Sequence, residues 1–234
     1  MKNLLIFLIV SVGFMSCESI SGNGNVKDEN RPLSKINAIK ASGSIDVEIS
    51  NGDDYSLTVQ NDENLIPYMV TEVNGGELNI HYKDDYSVMN DHAKVILTVP
   101  SIDKIVTSGS GDITSSGTIK SDQKLEMNTS GSGDIKANIN APSIQVTGSG
   151  SGDIQLSGMT KDFECRMSGS GDVNCGNLKS ENAVIKVSGS SDVHVFSSVS
   201  LKVNVTGSGD VHYGGNPTSP EIHITGSGTV SAEK

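Results

Sequence analysis

Through the second half of the chain, apolar and polar residues alternate one for one in short runs. Leu201, Val203 and Val205 are separated by Lys202 and Asn204, and Val211 and Tyr213 by His212. The same registry holds for Phe163, Cys165 and Met167 followed by Val173 and Cys175, and for Ala183, Ile185 and Val187 followed by Val193 and Val195. A spacing of two places one set of side chains on one face of an extended backbone, so each run predicts a strand with one buried face. A helical repeat is excluded: apolar residues would have to recur every three to four positions, and Gly, Ser, Thr and Val stand where helix formers would be needed.

The runs are punctuated by one short motif. SGSGD occurs at 108–112, 130–134, 149–153 and 168–172, followed by SGSSD at 188–192, TGSGD at 206–210 and TGSGT at 225–229. The last positions of these seven copies are spaced 22, 19, 19, 20, 18 and 19 residues apart, which is a structural period. Propeller blades need about twice that length. A coil of ~19 residues holding several short strands predicts a parallel β-helix, an all-β solenoid in which each coil stacks ~4.8 Å above the last. Glycines in the motif permit the left-handed or otherwise strained backbone of a sharp corner.

Residues 36–101 are less regular. They contain SGSID at 42–46, a strand-like 55–59, and Asn74-Gly75-Gly76 placed as a hairpin turn between 68–73 and 77–81. This stretch reads as continuation and N-terminal cap of the solenoid, since unbroken stacking would leave a sheet edge exposed; a separate small β domain is the alternative. Ahead of it, 18–30 is small and polar and reads as a flexible tether. The chain opens with Lys2, an apolar run from Leu4 to Phe14, and Ser16 before Cys17. That order predicts a secretory signal over 1–16, too short to span a bilayer, with Cys17 as the acylated N-terminus of a lipoprotein; an ordinary signal peptide with an incidental cysteine is the alternative, Phe14-Met15 being looser than the usual lipobox. The expected organisation is signal peptide 1–16, tether 17–30 and one β-helix body 31–234.

Composition sharpens this picture. With 26 Gly, no Trp and 4% aromatic residues, the interior has to be narrow and filled by small aliphatic side chains. A formal charge of -11 and only two arginines, Arg31 and Arg166, disfavour nucleic acid and anionic lipid surfaces as direct partners.

The run IDVEISNGDDYSLTVQNDENLIPYMVTEVNGGELNIHY, then VILTVPSIDKIVTSGSGDI, then the serial SGSGD copies resemble the auto-transporter adhesin head GIN domain family, over residues 36–232. The resemblance implies a right-handed parallel β-helix on secreted or lipid-anchored bacterial proteins, common in Bacteroidetes-like organisms, with adhesion suggested by the family's name alone. It brings no catalytic residues. Ser191 in place of a turn glycine and Thr229 in place of the turn aspartate depart from the repeat.

The sharpest candidate chemistry is the column Asp112, Asp134, Asp153, Asp172, Asp192 and Asp210, one carboxylate per coil. Like charges ~5 Å apart repel by on the order of 1 kcal/mol per pair, so something must offset them. The favoured reading is hydrogen bonding to turn amides of the same or the neighbouring coil. The alternative is a Ca²⁺ column, against which stands the spacing: calcium solenoids use nonapeptide turns twice per coil. A retaining glycosidase pair would also fit ~5 Å, but six equivalent carboxylates lack the unequal surroundings that acid and nucleophile require. No cofactor is expected. His194 and His212 fall on successive coils within ~5 Å of each other, with no third metal ligand. Cys165 and Cys175 point inward; export would permit a disulfide between them, but facing sheets lie ~10 Å apart where a bridge needs Cα atoms within ~7 Å, so buried free thiols are the favoured reading. The sequence therefore predicts a non-enzymatic, exported lipoprotein of the outer membrane that displays a repetitive β face to a glycan or protein ligand. A β-helix carbohydrate-active enzyme, lyase- or hydrolase-like, is the alternative.

Overall fold

The computed structural model describes residues 18–233; the expected signal sequence 1–16 and the expected acylation site Cys17 lie outside them. The described residues form an all-β solenoid of stacked parallel coils, with one 3₁₀ turn at Ile66–Tyr68 and no α-helix. Strands follow the two-residue alternation. Ile113, Ile135, Ile154, Val173, Val193, Val211 and Val230 stack in register as one inward column. Met127, Val146, Cys165, Ile185, Val203 and Ile222 form another. Where Phe163, the one fully buried aromatic ring among the described residues, enters the core, its neighbour on the next coil is Ala183, so local volume is conserved.

The corners set the coil spacing. Backbone carbonyls of Gly109, Gly131, Gly150, Gly189 and Gly207 each accept the N–H groups of the two residues that follow the equivalent glycine one coil on. The glycines Gly109, Gly131, Gly150, Gly189, Gly207 and Gly226 have φ between 128° and 145°. A Cβ on Gly131 would stand 2.1 Å from the oxygen of Gly109, so close approach and conformation both demand glycine.

The first coil sits directly beneath the repeats. Ala38–Gly43 pairs in parallel with Lys104–Gly109, and Asp46–Asn51 with Ile113–Ser115 of the next strand. The chain between these coils folds under them: Glu77–Tyr82 and Lys94–Val99 continue the stack in parallel, then Met69–Asn74 and Ser56–Asp62 close it by antiparallel pairing. The hairpin at Gly75 and Gly76 is as expected, both residues having positive φ of 60° and 85°.

One expectation is corrected. The stretch read as a flexible tether is strand over most of its described residues. Glu18–Ser21 pairs in parallel with Tyr86–Met89, and Val26–Arg31 pairs antiparallel with Ser56–Asp62. Side chains hold it there. Arg31 donates from Nη1 to the Met69 carbonyl at 2.8 Å and Thr71 Oγ1 at 3.0 Å, and from Nη2 to the Ile66 carbonyl at 3.0 Å. The buried Asp62 carboxylate accepts the Gly24 N–H and lies 2.8 Å from His92 Nδ1. His92 and that amide hold the Asp62 carboxyl below the usual carboxylate range.

The corner geometry orders three substitutions. Gly131→Ala, which meets both clash and positive φ, should cost about 3 kcal/mol or more. Gly117→Ala, at φ +128° with open space around it, should cost about 1–2 kcal/mol. Gly176→Ala, with neither constraint, should stay within about 0.5 kcal/mol of the parent. Urea denaturation of the three variants measures this, and equal losses at 131 and 176 would refute it.

Candidate functional site

The aspartate column is a hydrogen-bonded ladder running the length of the solenoid. The backbone N–H of each turn aspartate donates to Oδ1 of the aspartate one coil earlier: Asp134 to Asp112, Asp153 to Asp134, Asp172 to Asp153, Asp192 to Asp172 and Asp210 to Asp192, at 2.8–3.0 Å. Each aspartate carbonyl also accepts the N–H of the residue after the preceding aspartate, as in Ile135 to Asp153 at 2.8 Å. The carboxylates therefore do corner work, with one oxygen of each outside the ladder.

Two ends of this ladder were not evident from the repeat itself. It begins a coil earlier, at Asp46, whose Oδ1 accepts the Asp112 N–H at 2.9 Å. The signal was SGSID at 42–46, hidden by the long excursion that separates it from the next copy. At the far end Thr229 replaces aspartate and donates both its N–H, at 2.7 Å, and its Oγ–H, at 2.8 Å, to Asp210 Oδ1. Those two donors hold the Asp210 carboxyl below the usual carboxylate range. The threonine thus ends the column with a donor where a further charge would stand.

Among the described residues no three His, Cys, Asp or Glu side chains gather in a way that could hold an ion. His194 and His212 stack as expected, ring centroids 4.8 Å apart and planes 25° apart. Their Nδ1 atoms lie 2.6 Å from Glu233 Oε1 and 2.9 Å from Ser231 Oγ respectively. Cys165 and Cys175 are free thiols, both buried. Burial pushes the Cys165 thiol up to about 12 and Cys175 well above its ordinary value, which favours the protonated form of both.

Several concavities open on the faces, two of them beside the bulges and the cap. Register shifts between Thr114 and Thr118 and between Gln155 and Ser157 interrupt the parallel ladder on one face. They leave a shallow groove of about 290 Å³ lined by Ser115, Lys136, Asn138, Gln155, Asn174 and Asn177 among others. A wider one of about 640 Å³ lies against the cap, where Lys40, Asn79, His81, Lys83 and Tyr86 contribute. The one trace of the first in the sequence is the 22-residue interval from Asp112 to Asp134, which holds the extra residues of the Thr114–Thr118 slip; the second arises where the chain turns antiparallel and leaves no mark on the period. On the opposite edge of the repeat, Arg166 faces outward and pairs with Glu164 at 2.5 Å, and Lys186 of the next coil reaches the same carboxylate at 3.3 Å.

If the aspartates are corner acceptors, Asp134→Ala should destabilise by about 1 kcal/mol by orphaning the Asp153 amide, whereas Asp134→Asn keeps an acceptor and removes a repelling charge. Denaturation at low and high salt should therefore show Asp134→Asn at least as stable as the parent in low salt, the difference shrinking as salt screens the column. A loss for Asn as large as for Ala would contradict the ladder.

Known proteins place this geometry. A putative adhesin from Bacteroides fragilis NCTC 9343 has the same fold, with a TM-score of 0.87 at 20% identity over 92% of this chain and 100% of its own. A putative lipid binding protein from Parabacteroides distasonis ATCC 8503 is similar at 28% identity and a TM-score of 0.74, covering 93% of this chain and 100% of its own. A putative adhesin from the same organism is similar at 25% identity and a TM-score of 0.74, with 92% and 100% covered. No curated protein matches the chain. The family described as "Putative auto-transporter adhesin, head GIN domain" matches residues 35–217. With the stacked Gly-Ser-Gly-Asp corners and the coil they define, that match carries the conclusion that the chain belongs to this adhesin-head family.

Proposed function

We propose that this protein is a non-enzymatic adhesin-like module, held at the outer membrane by acylation of Cys17, which presents the polar columns of its solenoid to a glycan or protein ligand. The observation that carries the reading is a ladder of outward hydrogen-bonding side chains. Lys136, Gln155, Asn174, His194, His212 and Ser231 succeed one another in register, one per coil. Such a row offers repeated donors and acceptors at ~4.8 Å intervals, which suits an extended polymer lying along the axis. Chemistry on a substrate would instead call for carboxylates in unlike surroundings, and the ladder gives its aspartates near-identical ones.

The anchoring part of the proposal is supported by the signal-like first residues and by the position of Glu18. The strand Glu18–Ser21 starts immediately after Cys17 and pairs with Tyr86–Met89, so acyl chains on Cys17 would hold the capped end of the solenoid close to the bilayer.

Residues 18–234 on an array of glycans and extracellular-matrix proteins should give a small set of binders, weakened by the double variant Gln155→Ala/Asn174→Ala. Phospholipid vesicles belong in the same screen, since the 28%-identical relative is called a lipid binding protein. Silence toward glycans and proteins alike would count decisively against the adhesin-like reading. Anchoring is tested separately: Cys17→Ser in the full chain should move the protein from the membrane to the soluble fraction and abolish metabolic labelling by palmitate. Unchanged fractionation would rule out acylation as the anchor.

A further inference from the structure

The two ends of the solenoid are finished differently. At the start, Val26–Arg31 and Met69–Asn74 run antiparallel to their neighbours and close the stack, and the outer strand carries Lys27, Asp28, Glu29 and Arg31 along its edge. Charges of this kind discourage further strand addition. At the other end, Glu221–Gly226 stacks on residues 202–207 of the preceding coil, and among the described residues no strand pairs with its outer edge. Ile222 and Ile224 occupy core columns, in register with the buried Val203 and Val205, yet are 37% and 44% exposed. All six residues of this strand are exposed. Among the described residues this strand therefore presents a free row of backbone N–H and C=O groups with an open apolar interior behind it.

The geometry points to this edge as a self-association surface, on which a second copy of the chain pairs its own Glu221–Gly226 strand antiparallel about a two-fold axis at His223. The strand is self-complementary in that register. With His223 opposite its mate, Ile222 of one copy faces Ile224 of the other, twice, on the inward side, and Glu221 faces Thr225 on the outward side. Inward and outward faces are preserved by such an axis, so the two cores meet. The same patch serves both partners, which closes the assembly at two, and head-to-tail growth is stopped by the capped, charged first end.

The area fits a weak dimer of this kind. An end coil of ~19 residues at ~3.3 Å each and ~10 Å thick presents ~600 Å² per partner, so ~1,200 Å² in total, at the lower limit of specific interfaces. The pairing does not depend on the anchoring proposed above. Combined with that anchoring, it would set the two acylated ends at opposite extremes of the dimer, facing two different membranes.

The test is sedimentation equilibrium of the full chain in detergent, taken up to high-micromolar concentration, with wild type and Ile224→Lys compared. The wild type should fit a monomer–dimer equilibrium and the variant should associate at least tenfold more weakly, with unchanged circular dichroism and melting. A second variant, His223→Cys, should form a disulfide-linked dimer under mild oxidation well beyond the wild-type background, because directly opposed antiparallel residues have Cα atoms ~4.5–5.5 Å apart, within disulfide reach. A monomer at every concentration overturns the inference. So does a dimer indifferent to Ile224→Lys, or a His223→Cys chain that crosslinks no more than wild type.

Discussion

The structure depends on one close approach: at each corner the backbone of a coil passes over the backbone of the coil beneath with no room for a side chain between them. A Cβ at Gly109, Gly131, Gly150, Gly169, Gly189, Gly207 or Gly226 would fall 2.1–2.4 Å from a carbonyl oxygen of the coil below. A second column, Gly111, Gly133, Gly152, Gly171, Gly209 and Gly228, meets the same wall at 2.1–2.2 Å. The lowest coil shows that the constraint comes from stacking. At Gly43, with no corner beneath it, an added Cβ meets nothing within 4 Å, and the next position of that turn tolerates Ser44 and then a buried Ile45. With the corners drawn this tight, carbonyl-to-amide bonds between corners form, the aspartate ladder falls into line beside them, and the space left inside takes one layer of small aliphatic side chains.

The exception within the columns is informative. Ser191 stands in the second glycine column, fully buried, and its Oγ has no hydrogen-bond partner. An unpaired buried hydroxyl ordinarily costs about 1–3 kcal/mol. Serine is nevertheless the smallest polar departure from glycine, and the coil that carries it keeps its aspartate bonds on both sides, from the Asp192 N–H to Asp172 and from the Asp210 N–H to Asp192. A local flaw is absorbed because each coil is secured independently by its own neighbours.

The chain spells out those parts of the architecture that repeat. Strand alternation, coil length, the turn at Gly75 and Gly76 and the His194–His212 stack all follow from spacing, because stacking turns a period in sequence into adjacency in space. The parts that escaped are those held by contacts particular to one place. Val26–Arg31 shows no buried face and reads as solvated chain; its order comes from main-chain pairing, from the Arg31 guanidinium on carbonyls of another strand, and from the hidden Asp62 gripping Gly24. The amide-lined groove is equally local: the slips at Thr114–Thr118 and Gln155–Ser157 lengthen single coils by a residue or two, but the period alone does not say which side chains they displace. Asp46 belonged to the ladder all along, but adjacency between 46 and 112 is made by a folded excursion and not by a regular interval.

The ladder has no preferred number of rungs. Each aspartate answers only to the coil on either side, and each glycine clears only the oxygen beneath it, so nothing in the interior records how many coils precede or follow. Duplication or loss of one ~19-residue unit in the gene would change the height of the rod by ~4.8 Å and leave cap, terminus and every remaining corner intact. Height is thus a trait that can drift or be selected without refolding anything, and the reach of a molecule built this way can be adjusted one coil at a time.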